Sequence, residues 1–272
     1  MVSINKTQIH LTNVQKTLLI TLYAKAIDNR SKKPILHDVK ADELVGMIDY
    51  DFTKINSWGN DNLIVVRAKQ YDDWIQAFIT GNPACIVLHL GCGLDTRVTR
   101  IHPPSTVSWF DIDFPDVIQL RKHFYADRSG YRMIAASITD PAWLAEIPTG
   151  QPVMIIAEGV LEYLTAAEVK MLLHRLTSYL SHGVIAFDVM NSFAIQSAKS
   201  AVNEPTAGLH KWEVNDIREV DALDLKLKRN KALSVFRSPY IRKLPIGYHL
   251  LYRSIALIPK FRNMIRLLHY QF

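Results

Sequence analysis

Short apolar runs alternate with helix-length segments through the middle of this 272-residue chain. The runs are rich in β-branched residues, and a glycine closes the first of them. They occur at Cys85–Leu90, Val107–Ile112, Tyr131–Ala135, Val153–Ala157 and Val184–Val189. Strands that are buried on both faces have continuous apolar sequences, and strands separated by helices are joined by parallel crossovers. The alternation therefore predicts a doubly wound α/β sheet.

Helical periodicity precedes and accompanies this pattern, which weakens beyond Val189. Helices are predicted at Val14–Ile27, Ala41–Asp49, Val65–Ile79 and Ala166–Leu180. Residues 191–224 are polar and irregular in sequence. Two further strand candidates follow, at Leu225–Lys228 and Ile265–Tyr270. We expect these strands to extend the sheet, with an inserted cap near the C-terminus.

The charge of the chain is concentrated in its last 48 residues. The segment Leu225–Phe272 has eleven basic residues and no acidic residue, whereas residues 1–224 have a net charge of −5. The net charge of +6 therefore does not indicate a nucleic-acid-binding protein, and no nucleic-acid partner is expected. An anionic small molecule or an acidic partner protein fits the basic tail better. The composition, 49% hydrophobic and 21% charged, excludes a disordered or low-complexity chain.

The sequence also predicts the compartment. No apolar run approaches the ~20 residues that cross a bilayer, and Leu18–Ala24 lacks the flanks of a signal peptide. The two cysteines, Cys85 and Cys92, are predicted at opposite ends of one strand, about 23 Å apart at ~3.3 Å per residue. That separation exceeds the ~7 Å limit for a disulfide. Unpaired cysteines are typical of a reducing compartment, so we expect a cytoplasmic protein without a membrane span.

A glycine-containing segment, LGCGLDTR at residues 90–97, follows the first predicted strand. Gly91 and Gly93 permit a ligand to approach the backbone at the start of a helix, although a plain tight turn is the alternative. A dinucleotide site has a third glycine, which here is Thr96, and Asp95 places a negative charge where two phosphates would lie. The segment therefore favours a cationic or neutral ligand over NAD.

Acidic residues follow the second and fourth predicted strands. Asp111 and Asp113 lie 20 and 22 positions after Gly91, where an acid accepts hydrogen bonds from ribose hydroxyls. The two side chains are expected on the same side of the strand; Asp113 is preferred and Asp111 is the second choice. Glu158 follows an apolar strand, where a buried carboxylate requires a partner, and is a further functional candidate. Glu162 is interpreted as an exposed residue.

The segments around these residues resemble the leucine carboxyl methyltransferase family, in particular its bacterial polyketide-type O-methyltransferases. The resemblance covers about residues 12–190. It rests on VLHLGCGLDTR at 87–97, WFDIDFP at 109–115, AEGVLEYL at 157–164, VRAKQYDD at 66–73 and the N-terminal run at 16–36. The sequence departs from many methyltransferases at His89, where an acid is more common.

The resemblance implies a class I methyltransferase fold with a mostly parallel seven-stranded sheet, and an enzyme that transfers a methyl group from S-adenosylmethionine, leaving S-adenosylhomocysteine. The acceptor would be a hydroxyl or carboxyl group of a small molecule. It further implies one domain, with a helical lid at 1–80, a cofactor-binding core at 81–190 and an acceptor-side cap with the remaining strands at 191–272.

The resemblance also implies roles for individual residues. Arg67 would bind the methionine carboxylate, because a guanidinium matches a carboxylate in a two-pronged contact. Gly91 and Gly93 would line the methionine and ribose, and Asp113 would bind the ribose. The remaining expected contacts are Ser137 and Ile138 at the adenine, Glu158 at the ammonium group and Lys16 at the carboxylate. Without the resemblance, Ser137 is better explained as a helix cap.

No catalytic base is identified with certainty by the sequence. A carboxylate acceptor requires none, whereas a hydroxyl acceptor requires a base, for which His210 is a weak candidate. His210 and His249 are more often explained by packing, and Tyr163 and Trp212 are candidates for the pocket wall or for the core. No metal-binding spacing is present. The alternatives are an NAD-dependent oxidoreductase, a carboxyl methyltransferase acting on a protein C-terminus, and a binding protein whose basic tail contacts RNA or a membrane.

Overall fold

The computed structural model describes residues 13–55, 61–201 and 209–272, with side chains for 17–55, 61–197 and 209–272. The strands are β1 Ile86–Leu90, β2 Ser108–Asp113, β3 Tyr131–Ala135, β4 Val153–Ala157, β5 Gly183–Met190, β6 Lys228–Ser234 and β7 Ile265–Gln271. The α-helices are α1 Asn13–Asn29, α2 Val39–Met47, α3 Asp61–Gly81, α4 Arg97–Ile101, α5 Pro115–Arg121, α6 Ala166–Tyr179, α7 Ser192–Ala201, α8 Arg218–Asp221, α9 Ile246–Ile255 and α10 Pro259–Arg262.

The strands form one sheet with the order β3-β2-β1-β4-β5-β7-β6. Strands β1 to β5 are parallel, whereas β7 is antiparallel to both of its neighbours. The direction of winding reverses between β1 and β4, so the loops after these two strands diverge and leave a crevice between them. Such a switch point is where open α/β sheets bind ligands. The predicted doubly wound, mostly parallel seven-stranded sheet is confirmed.

The continuous apolar character of the central strands follows from burial on both faces. Alternate residues of β1, such as Ile86 and Leu88, pack into a core shared with α6, while Val87 packs into a second core shared with α3, α4 and α5. Because neighbouring residues of a strand point to opposite faces, every position of β1 must be apolar or carry a satisfied polar group. His89 is the single polar residue of β1 and is almost completely buried.

The N-terminal helices lie over the glycine-containing segment. Leu19 and Leu22 of α1 pack against Leu44 of α2, and the same cluster includes Leu94. Lys25 of α1 forms an ion pair with Asp95 at 2.6 Å. Helix α1 is therefore attached directly to the loop that follows β1.

The C-terminal region differs from its prediction in two places. The strand expected at Leu225–Lys228 is instead β6, at Lys228–Ser234. This edge strand has exposed residues through most of its length, so it lacks the apolar run by which the inner strands are recognised. Helix α7 lies within the segment 191–224 that was expected to be irregular.

Within the described ranges, none of the helices combines the length and apolar character required to cross a bilayer. Cys85 and Cys92 are both buried and unpaired.

Candidate functional site

A cavity of about 500 Å³ opens at the carboxyl ends of β1 and β4. Helices α1 and α3 form its upper wall, and the loops after the two strands form its floor. Its polar and glycine lining includes Lys25, Arg67, Gly91, Gly93, Asp95, Glu158, Gly159, Glu162, Tyr163 and His210. Four of the predicted site residues, Arg67, Gly91, Gly93 and Glu158, are therefore brought together, along with the base candidate His210.

The two glycines of the loop have backbone angles that favour glycine. Gly91 has a φ of +61° and Gly93 a φ of +50°. A Cβ atom on Gly93 would lie 2.7 Å from Cδ2 of Leu18 in α1. The loop therefore turns in the left-handed region and packs its backbone closely beneath Leu18 of α1.

Asp113 anchors this loop to the end of β2. Its Oδ2 accepts a hydrogen bond from the backbone N–H of Gly93 at 2.7 Å, and its Oδ1 accepts one from that of Phe114 at 2.7 Å. Burial raises the pKa of Asp113, although these two N–H donors favour the ionised form. Asp113 lies outside the cavity lining, but it contacts the glycine loop from the side opposite α1. Each of its oxygens retains a lone pair for a second donor.

Asp111 has a different environment from Asp113. It is completely buried and accepts hydrogen bonds from Arg121, from the hydroxyl of Tyr131 at 2.7 Å and from Trp109 Nε1 at 2.8 Å. Burial alone would raise its pKa, but the Arg121 guanidinium and these hydrogen bonds hold the pKa of Asp111 well below its ordinary value. Arg121 also donates to the carbonyl oxygens of Gly93 and Asp95. Asp111 thus supports the loop from below, and the structure does not bring this second-choice residue to the cavity.

Ser137 and Ile138 lie next to Asp113 but outside the cavity lining. The backbone N–H of Ala136 donates to the carbonyl of Asp113 at 2.9 Å, which fixes the chain that leads to both residues. The Ser137 hydroxyl lies 2.8 Å from that of Thr139, and Ile138 packs into the core below. Their contact with an adenine ring stays a prediction. The contact of Lys16 with the methionine carboxylate also stays a prediction, because its side chain lies outside the described residues.

Arg67 extends from α3 into the cavity and contacts two carboxylates. Its Nε donates to Glu158 Oε1 at 3.0 Å, and its Nη1 donates to Asp188 Oδ2 at 2.9 Å. Asp188, in β5, also accepts the backbone N–H of Gly159 at 2.8 Å. The sequence analysis missed Asp188, although a single carboxylate inside an apolar strand is the same signal that identified Glu158.

A second buried arginine holds Glu158 from the other side. Arg97, at the start of α4, donates to Glu158 Oε2 and to Asp72 Oδ1, and its Nη1 lies 3.2 Å from His89 Nε2. Burial alone would raise the pKa of Glu158, but Arg97 and Arg67 together lower it to about 2. The positions Arg97 and Asp72, quoted above for the family resemblance, are therefore partners in one buried network.

Glu162 is buried, so its interpretation as an exposed residue is wrong. Only 5% of the residue is accessible, and it lines the cavity. It lies in the short 3-10 helix Leu161–Tyr163, whose position is fixed because the backbone N–H groups of Lys211 and Trp212 donate to the Glu162 carbonyl. Burial, reinforced by the negative charge of Asp188, raises the pKa of Glu162 to about 8.

The aromatic candidates separate into pocket and core. Tyr163 and His210 both line the cavity, with ring centroids 5.2 Å apart and planes inclined by 28°. Trp212 packs into the core beneath the sheet and is absent from the lining. Of the basic tail, only Val235, Met264 and Ile265 reach the cavity, and none of them is charged.

Sequence comparison finds relatives over most of the chain. The family described as Leucine carboxyl methyltransferase matches residues 18–177. The chain is 38% identical, over 97% of its length and 98% of the relative's, to a protein of Streptomyces glaucescens named Tetracenomycin polyketide synthesis O-methyltransferase TcmP. It is 32% identical to the S-adenosyl-L-methionine-dependent methyltransferase dpfgK of Gibberella zeae, over 80% of this chain and 81% of that protein.

Structural comparison finds the same fold in proteins of low sequence identity. A DUF574 family protein from Streptomyces avermitilis superimposes with a TM-score of 0.61 at 11% identity, covering 94% of this chain and 96% of that one. The plantazolicin methyltransferase BpumL, crystallised with S-adenosylhomocysteine, gives a TM-score of 0.50 at 13% identity over 94% and 98% of the two chains. These structural similarities support the fold alone. The family relationship rests on the similarities in sequence.

Proposed function

The chain belongs to the leucine carboxyl methyltransferase family, and from this we propose that it is an S-adenosylmethionine-dependent O-methyltransferase that acts on a small molecule. The observation that carries the proposal is the similarity, over nearly the whole of both chains, to a relative named as a polyketide synthesis O-methyltransferase. A cavity at the switch point of the sheet, beneath α1, supports the same function.

The residues of the cavity fit S-adenosylmethionine. Arg67 uses Nε and Nη1 for its carboxylate partners, while its Nη2 lies beside Gly159, where an added Cβ would be only 3.2 Å away. The remaining N–H groups of this guanidinium are available to a ligand carboxylate. Gly91 and Gly93 would line the methionine and ribose, because both line the cavity and neither has a side chain to obstruct it.

The other proposed contacts continue along the carboxyl edge of the sheet. Asp113 would accept hydrogen bonds from the ribose hydroxyls while it holds the Gly93 N–H. Ser137 and Ile138, on the loop after β3, would flank the adenine. Glu158 would lie at the amino-acid end of the ligand, where it already accepts a hydrogen bond from Arg67.

The chemistry is a displacement in which this chain aligns the reacting groups. Bound S-adenosylmethionine supplies a methyl group on a sulfonium, so that an acceptor oxygen forms the new O–C bond while the electrons of the S–C bond remain on sulfur. Holding the acceptor in line removes a large entropic cost, up to ~7–11 kcal/mol for well-aligned groups. His210 lines the cavity and would take the proton of a hydroxyl acceptor; a carboxylate acceptor needs no base.

Three alternatives are weighed against this proposal. An NAD-dependent oxidoreductase lacks support, since Asp95 and Thr96 occupy the phosphate positions and the relatives are named as methyltransferases. A protein C-terminus as acceptor is less well supported, since the most similar relative above is named for polyketide synthesis. RNA or membrane binding by the tail has no counterpart in the relatives' names. An anionic acceptor and a cytoplasmic location stay predictions.

The test has two stages. In the first, the melting temperature is recorded with S-adenosylhomocysteine and with NAD; we expect stabilisation by the former alone. In the second, methyl transfer from labelled S-adenosylmethionine is measured on phenols, alcohols and carboxylic acids of matched size. Stabilisation by NAD alone would overturn the proposal, and labelling of carboxylic acids but not phenols would assign the acceptor group.

A further inference from the structure

Glu162 differs from the neighbouring acidic residues of the cavity in its partners among the described side chains. The two neighbouring carboxylates each form an ion pair: Glu158 with Arg67 and Arg97, and Asp188 with Arg67. Among the described side chains, no lysine, arginine or histidine nitrogen lies within 4 Å of the Glu162 carboxylate. A carboxylate that is 95% buried without a cationic partner is costly, unless a ligand supplies the positive charge.

Charged and titratable groups face Glu162 from several elements. Arg67 on α3 attracts it, while Asp188 on β5 and Glu158 at the end of β4 repel its ionised form. Tyr163 adjoins it on the same 3-10 helix, and its pKa is raised by burial and by the charge of Glu162. Because burial and the neighbouring carboxylates raise the pKa of Glu162 to about 8, its protonated form predominates at pH 7.

The two forms of the cofactor differ by one positive charge at this site. S-adenosylmethionine has a sulfonium, an ammonium and a carboxylate, for a net charge of +1, whereas S-adenosylhomocysteine has a neutral thioether and a net charge of zero. Glu158 forms ion pairs with Arg67 and Arg97, and Asp188 forms one with Arg67. Among the described residues, Glu162 is the cavity carboxyl group without such a pair, so it is the group that we expect to respond to the additional charge.

We propose that Glu162 is the counter-charge for the sulfonium of S-adenosylmethionine and that its carboxyl releases a proton to solvent when this ligand binds. The proposal rests on the proposed function, and Glu158 keeps its expected place at the ammonium group, which both ligands carry. After transfer, the neutral product no longer stabilises the carboxylate, and Glu162 takes up a proton again. Glu162 thus distinguishes the methylated from the demethylated cofactor and weakens binding of the product.

The size of the effect follows from charge proximity. An opposite charge within 4–6 Å lowers the pKa of a carboxyl group by about 1–3. By linkage, the preference for S-adenosylmethionine over S-adenosylhomocysteine increases by the same factor, at least ~10-fold, as pH rises through the pKa of the free site. The preference is therefore smallest below pH 7 and largest above pH 8.

Calorimetry of the full chain tests this inference. Binding of each ligand is measured between pH 6 and 9 in two buffers of different ionisation enthalpy, which reports the protons released. We expect net proton release when S-adenosylmethionine binds at pH 7, clearly less for S-adenosylhomocysteine, and an affinity ratio that rises about 10-fold from pH 6.5 to 8.5. Since the ligands' own amino groups also titrate, the decisive quantity is the difference between wild type and Glu162→Gln.

The variants separate this role from a structural one. Glu162→Gln should bind S-adenosylhomocysteine as wild type does, but lose the proton release and the pH-dependent preference; Glu162→Asp should retain both. Glu213→Gln is the matched control. Glu213 is exposed, three residues after His210, and its substitution should change neither quantity. Circular dichroism checks folding, and if Glu162→Gln does not fold, the wild-type affinity ratio decides.

Equal proton release by wild type and Glu162→Gln, or a wild-type affinity ratio that does not change with pH, overturns the inference. Failure of the proposed function has a different signature, because the wild-type chain would then bind neither ligand at millimolar concentration.

Discussion

Asp111→Asn should mainly lower stability and Asp113→Asn should mainly weaken ligand binding, although the two carboxylates are only two residues apart on β2. Asp111 is fully buried and balances the charge of Arg121, which is itself inaccessible to solvent. An asparagine would leave that guanidinium buried without a carboxylate. Asp113 instead accepts two backbone N–H groups, and an asparagine retains one of these bonds.

The magnitudes follow from these contacts. Removing one partner of a buried ion pair costs about 3–5 kcal/mol, so Asp111→Asn should lower the free energy of unfolding by that amount. At roughly 2 °C per kcal/mol for a chain of this size, the melting temperature should fall by about 6–10 °C. Asp113→Asn loses one hydrogen bond, about 1–2 kcal/mol and about 2–4 °C. Loss of its charged contacts with a ribose, ~1.5–3 kcal/mol, should weaken S-adenosylhomocysteine binding 10-fold or more.

Urea unfolding and calorimetry of the two variants measure these quantities side by side. Calorimetry is carried out well below the melting temperature of Asp111→Asn, where that variant is folded and should retain near wild-type affinity. The reasoning fails if Asp111→Asn loses less than about 1 kcal/mol of stability, or if it loses ligand affinity while Asp113→Asn binds normally.

Three further predictions concern the loop, the cavity arginine and the outer sheet. Arg67→Ala should weaken S-adenosylmethionine binding at least ~10-fold by calorimetry, while Arg132→Ala, at an exposed ion pair, should bind normally; equal affinities would remove Arg67 from the site. Gly93→Ala should cost about 1–3 kcal/mol in urea unfolding, because a φ of +50° strains alanine and the new methyl meets a leucine of α1 at 2.7 Å. The control is Gly46→Ala in helix α2, where an added Cβ would meet no atom within 4 Å. It should be stabilising by about 0.5–1 kcal/mol. Burial, with the nearby charge of a lysine on β6, lowers the pKa of His269 to about 4 from 6.5. His269 is therefore protonated at a higher pH in the unfolded chain than in the folded chain. The free energy of unfolding should decrease as pH falls from 6.5 to 4. His269→Gln should reduce that slope, and an unchanged slope would contradict the assignment.

The inner strands of the sheet could be predicted because the signal for each strand lies within its own sequence. A strand that is buried on both faces must have a continuous apolar sequence, and β1, β3 and β4 were therefore located within one residue. The loop after β1 was recognisable because a left-handed turn under a helix selects glycine, at Gly91 and Gly93. A carboxylate at the end of an apolar strand marked Glu158 for the same reason: its burial requires a partner.

The sequence could not predict hydrogen-bond and ion-pair partners that come from distant parts of the chain. Asp111 and Asp113 share one side of β2. Asp111 has a structural role because Arg121, on α5, donates a hydrogen bond to it. Glu162 was interpreted as exposed, whereas the structure buries it. The segment that covers it, around Lys211, lies almost fifty residues later, and its contact with the Glu162 carbonyl is set by tertiary structure.

The basic tail is better explained by the sheet than by the acceptor. Lys228, Arg229 and Lys231 are exposed on β6, the outermost strand, and a register irregularity interrupts the same stretch. Charged side chains and bulges on an edge strand prevent it from pairing with another chain. None of the tail's basic side chains lines the cavity, where Arg67 and Lys25 from the N-terminal helices supply the cations. An anionic acceptor would thus be recognised by charges that lie outside the tail, and neutralising Lys228 and Lys231 together should promote self-association without changing acceptor affinity.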